Sequence, residues 1–476
     1  MPYIEGVTAV TDTRKLGFWI LTALVVGNMV GSGIFMLPRT LSEVASPAGV
    51  LLAWTLTGFG VLMVALVFGN LAIRKPNLTG GPQIYAKELF SEGSTASTLS
   101  GFMASWGYWI GNLAGNIAII TTFASYLSTF FPILTDETVL YTSGTFSLRL
   151  GNLSTFVVCT LLLWATHFII LQGIEGAGKI NFVATAAKVL GFVLFIVAGL
   201  FAFQKAYIIP FISTKEVTNG QTLGLLGQIN SAALTTLWAF VGVESAMVFA
   251  SRAKKQLDVK RATILGLLIA LGIYIGISIL VMGMLPQDVL VQSEKPLIDA
   301  IETVLGSIGG KILAAIGLIS LIGSTIGWIM LSAEIPYQAA KQGLFLPIFL
   351  KENQKGLPTF SLVVTNILGQ FFIFSTISNS ISAAFDFIIY IATLSYLVPY
   401  FIASVFQLKL VWTKETYSNG EWRMADGIIA ILATIYSLWV IIAGTSDLKT
   451  FLFGVLLLAS GIIFYGKIRT QHKQQV

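Results

Sequence analysis

The chain has 476 residues, of which 55% are hydrophobic and 11% are charged, with a formal net charge of +6. Soluble proteins carry about 25% charged residues, so this chain could not cover the surface of soluble domains with polar groups. The same figures exclude disordered, collagen-like and disulfide-framed proteins. One cysteine and two histidines give no basis for a multi-histidine metal site, and we expect no cofactor. The composition predicts an integral membrane protein.

Twelve stretches are apolar enough to be transmembrane helices, each of which needs about 20 residues to cross the bilayer core. They are residues 16–39, 48–73, 100–130, 151–171, 180–203, 226–252, 262–285, 310–340, 359–378, 382–408, 424–444 and 448–467. Residues 1–15 and 468–476 are short polar tails. The sequence therefore predicts an all-α membrane protein with twelve spans.

The basic residues predict the orientation of these spans. With a cytoplasmic N-terminus, the inner tails and loops hold 20 of the 28 Lys and Arg residues, and the outer loops hold seven. Cytoplasmic loops of membrane proteins are enriched in Lys and Arg. We therefore expect both termini in the cytoplasm of a cell membrane, and we assign the positive charge to topology rather than to nucleic-acid binding.

Two spans carry residues that interrupt a helix. The first span contains Gly27, Gly31, Ser32 and Gly33, and each glycine costs a helix about 1 kcal/mol relative to alanine. The sixth span combines Gly242 with a carboxylate at membrane depth, which is costly unless it is paired or faces a polar cavity. Interruptions at corresponding positions of two halves indicate a binding site at the midplane of an inverted-repeat transporter.

This pattern divides the chain into two five-helix repeats, residues 16–205 and 226–408, followed by two peripheral helices in residues 424–467. The motifs GNMVGSGIFMLP, ASPAG, WAFVGVES and AEIPYQAAKQGLFLPIF occur in this order. Together they resemble the amino acid–polyamine–organocation (APC) transporters, and most closely their basic amino acid/polyamine antiporter branch. The resemblance implies a LeuT-like 5+5 inverted repeat with broken first and sixth helices.

The first break offers the amides of Ser32 and Gly33 to a substrate carboxylate, at the positive end of the following half-helix. The resemblance implies that the carbonyls of Met29 and Val241 accept from the substrate ammonium. The resemblance also implies that the substrate side chain lies against Trp238 and in a distal pocket from three other spans. The residues expected to form this pocket are Tyr108, Asn112, Trp328 and Tyr390.

Three ionisable residues within the spans are the candidates for coupling and gating. Lys188 resembles a lysine that, in some superfamily members, places its ammonium where sodium-coupled relatives bind an ion. Glu244 matches a family glutamate linked to proton-sensitive transport, and Glu334 is expected nearer the cytoplasmic end. Asp386, near the outer end of the tenth span, either attracts cations or is an exposed acid at a helix start.

The sequence thus predicts a secondary transporter that exchanges a cationic amino acid, such as arginine, lysine or ornithine, for a related amino acid or amine by alternating access. The resemblance implies that spans 1, 2, 6 and 7 move against spans 3, 4, 8 and 9. One alternative keeps the fold but takes up neutral or aromatic amino acids with protons, and another is a membrane scaffold or amino acid sensor. We expect no catalytic residues. The expected partners are an amino acid and membrane lipids, and a homodimer with a second copy of the chain is one possible assembly.

Overall fold

The computed structural model describes residues 17–78, 81–144, 146–172, 174–216, 222–248, 250, 253–378, 380–418, 423–445 and 447–466, without the side chains of 174–182, 185 and 248. The two predicted tails, residues 1–15 and 468–476, lie outside the described residues.

The first half of the chain is a series of helices with one small hairpin. Its helices are α1 (Phe18–Met29), α2 (Gly33–Val44), α3 (Pro47–Arg74), α4 (Tyr85–Glu88), α5 (Thr95–Leu127), α6 (Leu150–Leu171) and α7 (Ile174–Ala202). Strands β1 (Val139–Ser143) and β2 (Phe146–Arg149) pair antiparallel before α6. A second short antiparallel pair, β3 (Lys215–Glu216) and β4 (Thr222–Leu223), connects the two halves.

The second half is also helical. Its helices are α8 (Leu225–Ala239), α9 (Ser245–Val248), α10 (Gln256–Met284), α11 (Gln287–Gln292), α12 (Pro296–Lys341), α13 (Thr359–Ile373), α14 (Ser375–Ser378), α15 (Ile381–Thr413), α16 (Arg423–Gly444) and α17 (Leu448–Ala459).

Length and apolar composition identify membrane spans among the helices of the described residues. Nine helices could cross a membrane singly, and the bent pair α1–α2 brings the number to ten. The apolar part of α7, Ala186–Ala202, is shorter than these. Since each span must satisfy its own backbone hydrogen bonds in lipid, long apolar helices are the expected architecture. The protein is therefore a multi-pass, mostly helical membrane protein.

Both interruptions expected from the glycines are present. The axes of α1 and α2 differ by 47° across a break of three residues. Helix α8 ends at Ala239, and helix resumes only at Ser245. Gly242 lies between them with φ of 105°, and a Cβ there would lie 3.0 Å from the carbonyl carbon of Asn28. Only glycine fits this close approach of the two breaks.

The eighth apolar stretch differs from its predicted bounds of 310–340. Helix α12 begins at Pro296 and contains one non-helical residue, Gly306, with φ of 63° and ψ of −172°. Its first part carries Asp299 and Glu302, so hydropathy alone could not distinguish it from a polar loop. The apolar span predicted from the sequence is thus the second part of a longer, kinked helix.

Helix α5 is the most deeply buried of the candidate spans and packs against both α12 and α15. Helix α16 packs against α15 and α3. There Asp426 accepts hydrogen bonds from Asn70 Nδ2 at 2.9 Å and from Arg74 Nε at 3.0 Å. Because α5 crosses the centre of the molecule, its residues define the positions of the groups described below.

Candidate functional site

The two breaks face a small cavity beside α5. The residues that line it are Asn28, Met29, Gly31, Ser32, Gly33, Gly115, Ile119, Trp238, Ala239, Val241 and Trp328. Six of the nine residues predicted for the substrate site are therefore in one cavity: Met29, Ser32, Gly33, Trp238, Val241 and Trp328.

The start of α2 supplies hydrogen-bond donors to this cavity. Gly33 is the first residue of α2 and Ser32 is its N-cap. The first amides of a helix have no carbonyl partner within it and lie at the positive end of the helix dipole. Because Ser32 is only 2% exposed, its hydroxyl and these amides are hydrogen-bond donors shielded from water.

The end of α1 carries carbonyl groups that are not used by the helix. The amide of Gly31 donates to the Met29 carbonyl at 2.7 Å, rather than to Gly27 four residues earlier. The freed Gly27 carbonyl instead accepts a hydrogen bond from Lys188 Nζ at 3.3 Å. The structure therefore places the Lys188 ammonium at the first break, where a charged group on α7 contacts α1.

Two tryptophans form walls of the cavity. The indole of Trp238 lies between α2 and α5, where it closely approaches two glycines. A Cβ on Gly115 would lie 3.0 Å from Trp238 Cη2, and a Cβ on Gly33 would lie 3.5 Å from Trp238 Nε1. Trp328, from α12, lines the same cavity. Aromatic faces of this kind attract the cationic side chain of a ligand.

A carboxylate and two tyrosines lie beyond the cavity, towards the N-terminal end of α5; we call them the tyrosine–carboxylate layer. Glu244 accepts hydrogen bonds from Tyr108 Oη at 3.0 Å, from Tyr400 Oη at 2.6 Å and from the Gly242 amide at 3.0 Å. Tyr108 precedes Gly115 by seven residues on α5, which is about 10 Å along a helix. The layer joins α5, α15 and the second break.

Towards the C-terminal end of α5 lie aromatic rings and an ion pair that we call the arginine latch. Tyr126, about 16 Å beyond Gly115 along α5, packs edge-on against Phe35 with ring centroids 5.0 Å apart. One turn further along α2, the Arg39 guanidinium pairs with the Asp386 carboxylate. Thr40 Oγ1 donates to the same carboxylate at 2.7 Å. The latch thus fastens α2 to the start of α15.

Asp386 is therefore the partner of Arg39 rather than a free acid at a helix start. Arg39 Nε also donates to the Val291 carbonyl at 3.1 Å, and Arg39 Nη1 lies 3.2 Å from Glu43 Oε2. The sequence alone did not reveal this pairing, because Arg39 and Asp386 are 347 residues apart.

Three predicted substrate residues do not line the cavity. Tyr108 belongs to the tyrosine–carboxylate layer, and Asn112 donates to the Tyr108 carbonyl at 2.7 Å. Tyr390 is half-buried and donates to the Gly444 carbonyl at the end of α16. Tyr390 lies on α15, which packs against both α5 and α16. Tyr390 faces α16 rather than the predicted distal pocket. Glu334 is half-buried on α12, where it accepts from Gln338.

The sequence reasoning missed several residues of the site. Asn116, one turn after Asn112, donates to Ser332 Oγ at 2.8 Å, and its Oδ1 is buried without a hydrogen-bond partner in the described part of the chain. The helical spacing from Asn112 was the available signal. No sequence signal pointed to Gly115 or Tyr400, because a glycine or a tyrosine in an apolar helix usually serves packing.

Comparisons with known proteins agree with this geometry. The family model described as "Amino acid permease" matches residues 16–463. A putative arginine/ornithine antiporter of Bacillus subtilis is 51% identical over 465 residues, which cover 98% of this chain and 99% of the relative.

More distant relatives match over a similar extent. An arginine/ornithine antiporter of Pseudomonas aeruginosa is 35% identical and matches 98% of this chain and 93% of its own length. An arginine/agmatine antiporter of Chlamydia abortus is 34% identical, with 95% and 89% covered. The chain belongs to the amino acid permease family, in the basic amino acid/polyamine antiporter branch of the APC superfamily.

Proposed function

We propose that this protein is a secondary antiporter that exchanges a cationic amino acid for a related amino acid or amine by alternating access. One observation carries the proposal: helix-start amides, helix-end carbonyls and two tryptophans converge on one cavity between the two breaks. The names of the relatives, arginine/ornithine and arginine/agmatine antiporters, support the cationic class. The protein acts as a transporter rather than as an enzyme.

The finer architecture is part of this proposal. Twelve spans form two inverted five-helix repeats, residues 16–205 and 226–408, with residues 424–467 as the last two spans. Both tails, residues 1–15 and 468–476, are cytoplasmic, in line with the distribution of Lys and Arg. In this orientation the tyrosine–carboxylate layer faces the cytoplasm and the arginine latch faces outward.

The substrate binds by its three charged or polar parts. Its carboxylate accepts from the Ser32 and Gly33 amides, and its ammonium donates to carbonyls at the ends of α1 and α8, including those of Met29 and Val241. The cationic side chain lies against Trp238 and Trp328. The lining residues include no carboxylate, so a cation–π contact, worth about 2 kcal/mol when desolvated, takes the place of an ion pair.

Alternating access follows from two closures that cannot both open at once. Opening the arginine latch separates α2 from α15, whereas opening the tyrosine–carboxylate layer separates the second break from α5 and α15. Helices α1 and α2 lie on either side of the first break, so tilting them moves both the arginine latch and the tyrosine–carboxylate layer. Lys188 holds α1 against α7 at the position where sodium-coupled relatives bind an ion, and its ammonium replaces that ion.

Liposomes with the purified protein test the proposal directly. Vesicles preloaded with unlabelled arginine, ornithine, lysine, agmatine or a neutral amino acid receive labelled arginine outside. We expect the cationic counter-substrates to accelerate uptake and empty vesicles to take up little. Exchange of arginine for agmatine moves one charge, worth about 2.3 kcal/mol per 100 mV, so among the cationic counter-substrates only agmatine makes the exchange respond to an imposed potential.

Uptake of neutral amino acids into empty vesicles, driven by a proton gradient, would instead identify a symporter, and no flux of any amino acid would refute a transport function. Trp238→Leu tests the site and should raise the KM for arginine about tenfold or more. Trp164→Leu is the matched control, since Trp164 lies on α6 and bonds to Gln370 at 3.2 Å, away from the cavity.

A further inference from the structure

A cluster of charged and polar side chains joins the ends of α3, α10 and α16; we call it the inner lock. Its carboxylate, Asp426, accepts hydrogen bonds from Asn70 Nδ2 at 2.9 Å and from Arg74 Nε at 3.0 Å. The same carboxylate accepts from Tyr417 Oη at 3.0 Å. Lys260 Nζ donates to Asn70 Oδ1 at 2.7 Å. The five residues of the inner lock therefore connect three helices that are far apart in the chain.

The inner lock is largely shielded from water. Asp426 is 7% exposed and Asn70 is 4% exposed. The Arg74 guanidinium lies over the Tyr417 ring, with its Cζ 3.6 Å from the ring centroid, and its Nη1 donates to the Thr416 carbonyl at 3.0 Å. Removing one partner of a buried ion pair leaves an uncompensated charge, which is costly. The inner lock therefore resists the separation of α3 from α16.

Helices α3 and α10 form a pair that is connected to the cavity. Trp54 of α3 stacks on Tyr274 of α10, with ring centroids 5.0 Å apart and planes 5° apart, and Trp54 Nε1 donates to Ser278 Oγ at 3.0 Å. The Tyr274 hydroxyl lies 2.6 Å from the Met29 carbonyl oxygen and 2.7 Å from the Ala239 carbonyl oxygen, at the ends of α1 and α8. A tilt of the α3–α10 pair therefore moves both broken helices.

Helix α16 is held on its other side by α15, which packs along α5. Gln407 Nε2 of α15 donates to the Asp426 carbonyl at 2.8 Å. Away from the inner lock, α16 meets α3 at Gly60, where an added Cβ would overlap the Tyr436 ring. Gly60 precedes Asn70 by ten residues, and Asp426 precedes Tyr436 by ten, which is about 15 Å along each helix. This close contact can serve as a pivot, and a tilt of α3 about it separates the inner lock.

We propose that the inner lock closes the cytoplasmic side of the transporter: it holds α3 and α10 against α16 and opens when the cavity opens to the cytoplasm. Asp426 lies in the first turn of α16, where the positive end of the helix dipole stabilises a carboxylate. This carboxylate therefore keeps a favourable environment when Arg74 leaves it, as an ion pair that has to open requires. The inference rests on the proposed function, because it assumes alternating access and a cytoplasmic N-terminus.

Thiol reactivity tests the inner lock without any substrate. Ile119 lines the cavity, so Ile119→Cys places a thiol there, and a membrane-impermeant thiol reagent is added to inside-out vesicles. Adding Asp426→Asn should raise the reaction rate about tenfold, the size expected for one hydrogen bond to a charged group. In right-side-out vesicles the double variant should react no faster than Ile119→Cys alone. Equal increases from both sides would show a general loosening and overturn the inference.

Glu415→Gln is the matched control. Glu415 pairs with Lys75, the residue after Arg74, but this pair is exposed to solvent. Since exposed pairs contribute little, the control should change the rate less than about twofold from either side. If Asp426→Asn does not fold, Lys260→Gln is the second variant, because it keeps the ion pair and removes the ammonium from the inner lock. An unchanged rate from the cytoplasmic side, in whichever of the two variants folds, would overturn the inference.

A cross-link shows whether the inner lock must open during transport. In Asn70→Cys/Asp426→Cys, the two side chains in contact become thiols, which an oxidant or a short, reducible bifunctional thiol reagent joins. We expect the joined protein in liposomes to stop exchanging arginine, and reductant to restore the exchange. Each single cysteine variant receives the same treatment and should keep its exchange. Exchange by the joined protein would overturn the inference, whereas an unmodified protein that exchanges no amino acid would refute the proposed function instead.

Discussion

Gly115→Ala tests whether the space beside Trp238 determines which substrates fit. The added methyl would lie 3.0 Å from Trp238 Cη2 and 3.6 Å from Cζ3. Carbon atoms attract best at about 3.5–4.0 Å, so the indole must retreat by roughly half an ångström. Its opposite edge lies against Gly33 at the start of α2. The displaced ring therefore moves into the cavity.

Such overpacking typically costs 1–3 kcal/mol, which corresponds to a rise in KM between about fivefold and about 150-fold. The KM of the longest substrate should rise most, because its side chain needs the full length of the cavity between Trp238 and Trp328. We expect a larger loss for arginine than for ornithine. Exchange assays in liposomes give both KM values and separate them from kcat.

Gly107→Ala is the matched control. Gly107 lies on α5, as Gly115 does, but away from the cavity, and a methyl added there would lie 3.1 Å from Leu458 Cδ2. It should leave both KM values unchanged. The double variant Gly115→Ala/Trp238→Phe, which has a smaller ring, should recover part of the arginine preference lost in Gly115→Ala. Equal effects of the two alanines, or unchanged discrimination in Gly115→Ala, would refute the reasoning.

Four other substitutions test separate parts of the mechanism. Lys188→Ala removes the ammonium at the Gly27 carbonyl and should slow exchange at least tenfold. Flux is measured from pH 5 to 8. A flux equal to that of the unmodified protein at every pH would exclude both a fixed charge and a proton carrier at this position. Glu244→Gln leaves one acceptor oxygen where a carboxylate accepts from three donors, at a cost of about 1–3 kcal/mol. It should lower the melting temperature and flatten the pH profile of exchange, and an unaltered profile contradicts a role in proton sensitivity. Asp386→Asn weakens the arginine latch and should therefore make the cavity more accessible from outside. Ile119→Cys places a reporter thiol in the cavity. We expect this thiol to react faster with a thiol reagent in the double variant than in Ile119→Cys alone. Native Cys159 is buried, and equal reaction rates would argue against the latch as a gate. Tyr390→Phe should leave the KM for arginine within twofold, because the Tyr390 hydroxyl bonds to Gly444; a large rise would restore Tyr390 to the substrate site.

The local sequence predicted the features that depend on short segments. A run of about 20 apolar residues is sufficient to indicate a helix in lipid, and glycines clustered at membrane depth indicate an interruption. For the same reason Ser32 and Gly33 could be assigned to the site in advance, and the resemblance to the family assigned Trp238. Each lies in or beside a break, and in the structure all three line one cavity.

Residues that depend on the neighbouring helix could not be assigned in this way. A helical residue such as Tyr390 has a defined position on α15, but its partner depends on which helix packs against that face. The tyrosine–carboxylate layer joins Glu244 to Tyr400, 156 residues away, and no periodicity connects positions at such a separation.

The sequence by itself therefore determined the membrane class, the two breaks and the residues that face them, because these follow from composition and local helix propensity. Only the tertiary structure decided how the charges and hydroxyls pair: Arg39 with Asp386, Lys188 with the Gly27 carbonyl, and Tyr274 with both helix ends. Within a membrane a buried polar group must find a partner inside the protein, and the identity of that partner depends on which helices pack together.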